Sequence, residues 1–418
     1  MLVKTRLKNG LTFLFRPLSG CASVSIGLWV KTGSRMENSE EGGYSHFLEH
    51  MVFKGTSTRT AKQLAEEVER VGGNMNAYTS REYTNYYVTL IRDQARLGFD
   101  IIADMVFNPL LTEEDVKSEG NVIIEEMKGY EDSPDDFIHD YYYENLFPDS
   151  SLGRNIIGTK KSVSGVTSEK IRQYYNKYYQ PENMVLSVCG GISEKEALEL
   201  AEEYYSRGGN IVPSVTLDNP VKKFGMFVEK RNLEQVNFIL GGEGLGRDYL
   251  ETYRSSMALS ILGGGMSSRL FQKIREEKGL CYSIHSYPSF YTGAGSSNII
   301  CSTSPSTLGE SIQSIMDELR HALDKGFTDR EFEDIKSNLA GSIAIGSETA
   351  EQQMNGMALQ EIYYGKYYSI EDRIAEARRV EKSEMNDSFR RMFGVEELHL
   401  SAVGDIKKRD LARVSLKP

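Results

Sequence analysis

Two stretches of this chain repeat one plan, and that repetition limits the fold more than any other feature. "NYYVTLIRDQARLGFDIIADMVFNPLLTEEDVKSEGNVIIEEM" reads as strand, helix, turn, helix. "NIICSTSPSTLGESIQSIMDELRHALDKGFTDREFEDIKSNLAGSI" runs in the same order with nearly the same lengths. Thr112 to Asp115 and Thr328 to Glu331 fall at matching places, and both look like helix N-caps, the second with full capping-box spacing. A strand precedes each block, "VSIGLWV" in the first and "NFILGGEG" in the second. The pattern predicts an α+β protein of two homologous domains, each a largely antiparallel sheet with helices packed on one face. A length of 418 residues suits two such domains. Gly, Pro, Ser and Asn accumulate between the halves, so the domains are expected at 1–209 and 223–418 with a linker at 210–222.

Composition narrows the function. A net charge of −11 argues against nucleic acid, which needs a basic surface. No apolar run approaches membrane-spanning length, so no membrane insertion is expected. Cys21, Cys189, Cys281 and Cys301 lie far apart without a CxxC pair, a pattern that fits a reducing compartment. The N-terminus runs directly into alternating apolar and polar residues with a turn at Asn9-Gly10, the mark of a hairpin rather than a secretory leader. A cytoplasmic protein is the simplest expectation.

The segment "GGYSHFLEHMVF" carries the chemistry. His46 and His50 are four apart, so on a helix they share a face. Phe47, Leu48, Met51, Val52 and Phe53 make the helix apolar enough to be buried, where two histidines and Glu49 are costly unless something satisfies them. A divalent metal would satisfy the histidines, and Glu49, one turn from His46, could reach a water beside that metal as a general base. The plainer reading, three polar residues on an ordinary helix, leaves the apolar surroundings unexplained. A further ligand is needed, and "TEEDVKSEGNVIIEEMKGYED" is the best source. Its Glu119 and Glu126 are seven apart and share a face with Val116, Val122 and Ile123, while Glu125 falls off it. Glu126 falls opposite Ser342 in the second half, and nothing there resembles HFLEH, so the motif serves the first half alone. His139, His285, His321 and His399 have no comparable company.

With these residues the chain resembles the inverzincins, the H-x-x-E-H peptidases of the pitrilysin–insulysin class. It looks like their short bacterial members, related to the mitochondrial processing peptidase β-subunit. The resemblance implies one Zn2+ per chain held by His46, His50 and Glu126, the last 76 positions beyond His50, with Glu49 as catalytic base and Glu119 in support. It also implies that "GGNMNAYTSREYTNYYV" presents an edge strand that takes up substrate through Asn76, Ala77 and Tyr78. "GGGMSSRLFQKIREEKGLCYSI" looks like an arginine–tyrosine element, with Arg275 and Tyr282 holding substrate and steadying the tetrahedral intermediate. On this resemblance the first domain is catalytic and the second binds substrate. The implied activity is that of a zinc metalloendopeptidase acting on extended peptides inside a closed homodimer chamber. Some relatives use a separate partner subunit instead, and others are noncatalytic scaffolds that have lost a metal residue or the base. Here His46, Glu49, His50 and Glu126 are all present.

Overall fold

The computed structural model describes residues 2–210, 212 and 216–418, so part of the expected linker, at 211 and 213–215, lies outside the described residues. The chain forms two compact units. One gathers Met1–Gly129, Arg154–Asp218 and Gly346–Tyr367; the other gathers Tyr130–Gly153, Asn219–Ile345 and Tyr368–Pro418. The change from Asp218 to Asn219 falls within the expected linker, but each unit also takes a helical segment from the far half of the chain.

The first unit is built on strands β1 (Val3–Arg6), β2 (Thr12–Pro17), β3 (Ser23–Val30), β4 (Asn74–Thr79), β5 (Thr84–Ile91) and β6 (Met184–Gly190), in the spatial order β1-β2-β6-β3-β5-β4. The second uses β7 (Gly225–Lys230), β8 (Val236–Glu243), β9 (Cys281–Tyr291), β10 (Ala294–Thr303) and β11 (His399–Gly404), in the order β7-β11-β8-β10-β9. Leaving out β1, the two orders are identical. In each sheet the first strand runs parallel to the last, β2 with β6 and β7 with β11, and every other pairing is antiparallel. The repetition seen in the sequence is therefore a repetition of topology. Its two N-caps are present: Thr112 Oγ1 accepts from Asp115 N, and Thr328 and Glu331 form the reciprocal box.

One face of the first sheet is covered by helices including α1 (Tyr44–Val52), α2 (Ala61–Glu69), α3 (Ala95–Phe107) and α4 (Glu113–Asp132), with Ile26, Leu28, Phe47, Phe99 and Ile102 in the shared core. The far face receives the helix Ala350–Tyr364, whose Met354, Met357 and Ala358 pack on Leu14, Trp29 and Val185. Ser187 Oγ donates to Met354 O at 2.9 Å, tying that helix to β6. The second unit mirrors this arrangement. Its far face takes α5 (Pro134–Leu146), whose Ile138, Tyr142 and Leu146 pack on Ile239 and Val403. A Cβ at Gly241 would lie 2.1 Å from Tyr142 Oη, so only glycine lets α5 come this close to β8. Among the described residues no helix is long and apolar enough to cross a membrane. All four cysteines are free.

Candidate metal centre

The site begins with how α1 starts. Gly43, its N-cap, adopts φ +88°, and a Cβ there would lie 2.6 Å from Ile157 O. With no capping side chain at Gly43, the buried Glu37 takes over: its carboxylate accepts from Gly43 N at 2.8 Å and from Ser45 N at 2.7 Å. Burial pushes Glu37 up to about 7, although the bonds from Ser45 and Gly43 pull the other way. Ser45 Oγ meets Tyr174 Oη at 2.7 Å, and Tyr178 Oη donates to Met36 O at 3.1 Å. Phe47, Leu48, Met51 and Val52 are fully buried, so α1 has little freedom to rotate.

This fixes His46 and His50 side by side, with ring centroids 4.7 Å apart. From α4, Glu126 Oε2 lies 3.8 Å from His46 Nε2 and 3.5 Å from His50 Nε2. Ligands about 2.1 Å from a tetrahedral zinc stand about 3.4 Å from one another, and Glu126 Oε2 is within a few tenths of an ångström of that spacing from each imidazole nitrogen. His46, His50 and Glu126 offer three ligand atoms within 4.8 Å of one another. Burial, reinforced by His50, pushes His46 down to about 3, which keeps its imidazole neutral and available as a ligand. The residues present fit a zinc ion.

Glu119, one face-repeat before Glu126 on α4, is buried and does not join the donor group. Its Oε2 lies 3.2 Å from His50 Nδ1, and its Oε1 accepts from Lys54 Nζ at 2.6 Å. A carboxylate on Nδ1 favours a proton there and leaves the Nε2 lone pair facing Glu126. The apolar residues around Glu119 and Glu126 differ from expectation at one position. Val116, Ile123 and Met127 are buried, but Val122 is 47% exposed. Glu125 also faces outward, paired with Lys128.

Glu49 stands beside the cluster without belonging to it. Its Oε2 accepts from Thr79 Oγ1 at 2.5 Å. Burial raises its pKa, while the Thr79 bond and the nearby His50 draw it back and Glu126 adds to the rise. Thr79 is the last residue of β4, the edge strand of the sheet, so the bond ties Glu49 to that edge. Asn76, Ala77 and Tyr78 lie on β4, where Ala77 N donates to Asn76 Oδ1 at 2.8 Å and Tyr78 meets Tyr83 edge-on at 5.9 Å.

Arg275 and Tyr282 belong to the second unit. Arg275 lies in the π-helical turn Phe271–Glu277, its guanidinium 4.6 Å from the Phe271 ring and 5.7 Å from the Tyr282 ring. Tyr282, at the start of β9, is 74% exposed. The remaining histidines are accounted for without a metal. His399 is buried between Lys223 O and Ser401 Oγ, His139 meets Tyr287 Oη, His285 stacks on the Tyr287 ring, and His321 is exposed. Glu37, Lys54 and Thr79 carry no periodic signal. The one hint was for Glu37: a helix opening on glycine, without Ser, Thr, Asp or Asn at its N-cap, needs an acceptor from elsewhere.

Comparison with known proteins gives the family. The family described as Insulinase (Peptidase family M16) matches residues 19–160, and the one described as Peptidase M16 inactive domain matches residues 165–339. The chain is 36% identical over 396 residues to the uncharacterized zinc protease YmxG of Bacillus subtilis, covering 94% of this chain and 96% of the relative. It is 32% identical to an uncharacterized zinc protease of Streptomyces coelicolor, covering 98% of this chain and 91% of that one. Among solved structures, a protease from Helicobacter pylori superposes with a TM-score of 0.90 at 20% identity, over 97% of this chain and 99% of that one. A putative M16-like peptidase from Alicyclobacillus acidocaldarius gives 0.87 at 19% identity, over 96% and 98%. Among the described residues the histidine–glutamate cluster lies within the stretch that the Insulinase (Peptidase family M16) description matches. The chain belongs to peptidase family M16.

Proposed function

We propose that this protein is a zinc metalloendopeptidase that hydrolyses extended peptides. The observation that carries the reading is the convergence of His46 Nε2, His50 Nε2 and Glu126 Oε2, with Glu49 beside them and outside the donor set. Zinc, when bound there, would polarise the scissile carbonyl and acidify water. Glu49 takes the proton from the attacking water and returns it to the leaving amine; its raised pKa brings it closer to the range in which a carboxylate can do both. Thr79 aims the Glu49 carboxylate, and Glu119 holds His50 in the Nδ1–H tautomer. The free edge of β4 offers Asn76, Ala77 and Tyr78 to a peptide by main-chain pairing, which admits varied sequences. Arg275 and Tyr282 stabilise the oxyanion that develops on the scissile carbonyl.

The same reading includes a cytoplasmic homodimer with two complete sites enclosing the peptide, a proposal that rests on likeness to the class. Its solution mass, by light scattering, should be twice that of the chain. For the activity, an internally quenched peptide mixture should be cleaved by the purified protein, lose cleavage with a chelator and regain it with zinc. Cleavage indifferent to chelator would remove the metal from the mechanism. A metal-free, inert protein would favour the noncatalytic scaffold.

A further inference from the structure

We propose that Lys54 is a positioning residue of the metal centre: through Glu119, it sets the tautomer and affinity of His50. The inference rests on the reading of His46, His50 and Glu126 as zinc ligands. Lys54 follows the end of α1, where its backbone N bonds back to Met51 O, so the helix that carries both histidines also places the ammonium. Its Nζ lies 2.6 Å from Glu119 Oε1, and the other oxygen of that carboxylate lies 3.2 Å from His50 Nδ1. Lys54, Glu119 and His50 thus form a continuous chain of contacts ending at a metal ligand.

Charge balance shows why such a residue is needed. Glu49, Glu119 and Glu126 bring three carboxylates to two imidazoles that serve as neutral ligands. A divalent cation leaves one negative charge uncompensated, and Glu119, like Glu49, lies outside the donor group. It is also buried, where an ionised carboxylate without a partner is costly. Lys54 supplies the missing positive charge on the side of Glu119 away from His50. With the ammonium in place one oxygen of Glu119 is held by Lys54 and the other against His50 Nδ1, where it accepts the Nδ1–H, so His50 presents its Nε2 lone pair. Without it, Glu119 loses the contact that fixes its orientation and turns away from Nδ1, and the preference for the Nδ1–H tautomer weakens.

The test is zinc affinity of the full chain, measured by competition with a chromophoric chelator. Lys54→Met keeps the length of the side chain and removes its charge, Lys54→Arg keeps the charge, and Glu119→Gln removes the link. Lys54→Met should weaken zinc binding about tenfold, in the range seen when outer-shell partners of a metal site are lost. Lys54→Arg should recover most of that loss. In the Glu119→Gln background, Lys54→Met should change affinity less than about twofold, because the path to His50 is already cut. A merely structural lysine would give neither the rescue by arginine nor the loss of effect without Glu119. Wild-type affinity in Lys54→Met, or the same tenfold loss with and without Glu119, would overturn the proposal while leaving the metal centre standing. A wild-type chain that binds no zinc would overturn both. Melting of the metal-free variants separates these outcomes from misfolding, since a folded Lys54→Arg protein supplies the reference.

Discussion

Replacing Glu37 with glutamine keeps the volume of a fully buried side chain but removes one of the two acceptors that hold Gly43 N and Ser45 N. The amide NH2 must then face one of those N–H groups, and an unsatisfied buried donor costs about 1–3 kcal/mol. The variant also removes a titration. In the folded chain burial lifts Glu37 from 4.5 to about 7. Between those values the folded state binds the proton and the unfolded state does not, so stability falls as pH rises. The contribution is complete below the unfolded value and gone once pH has passed through the folded one. At about 1.4 kcal/mol per unit, the window is worth about 3 kcal/mol. The single tryptophan, Trp29, is fully buried in the first unit, so its fluorescence during urea unfolding reports on the unit that holds α1. In chelator, the advantage of wild type over Glu37→Gln should shrink by about 3 kcal/mol between about pH 4.5 and pH 7.5, then level off. Parallel pH profiles for the two proteins would refute the argument, because they would mean that Glu37 is ionised throughout.

Three further substitutions test other parts of the site. Thr79→Val removes the hydroxyl bond that draws the Glu49 pKa down, so the acid limb of the kcat/KM profile for peptide hydrolysis should move to higher pH, with about a tenfold loss near neutrality. An unmoved acid limb would show that Thr79 does not tune the base. Gly43→Ala puts a Cβ 2.6 Å from Ile157 O at a positive φ, and should cost at least about 2 kcal/mol in the Trp29 unfolding curve. Ala77→Pro removes an N–H on the free edge of β4; loss of one main-chain bond of about 1 kcal/mol should raise KM for extended peptides about fivefold with little change in kcat.

The α+β duplication was legible because each half repeats the same alternation of apolar strands and amphipathic helices, and the order of strands in the two sheets bears this out. What periodicity could not reveal is the exchange of helices. Ala350–Tyr364 and α5 are amphipathic wherever they dock, and their partners, Trp29 and Val185 for one and Ile239 and Val403 for the other, are distant in sequence. In the site, His46 and His50 could be read because helical geometry fixes which residues share a face; the same geometry offered both Glu119 and Glu126 on α4, and only the family resemblance singled out Glu126. The same reasoning misplaced Val122, which lies at the margin of that face and is left uncovered. Glu37, Lys54 and Thr79 sit before a helix, just after one and at a strand end. Their roles arise from tertiary contacts with Ser45, Glu119 and Glu49, and no local pattern encodes those.

In the proposed function one cluster binds zinc while a separate carboxylate moves the proton. Glu49→Gln separates the two roles, because Glu49 lies outside the donor group. Measuring zinc content and peptide hydrolysis on the same preparation of this variant tests the claim directly. The variant should hold about one zinc per chain, the content expected of wild type, with hydrolysis reduced by at least about a hundredfold. Undiminished turnover by Glu49→Gln, or a variant that loses its zinc together with its activity, would contradict it.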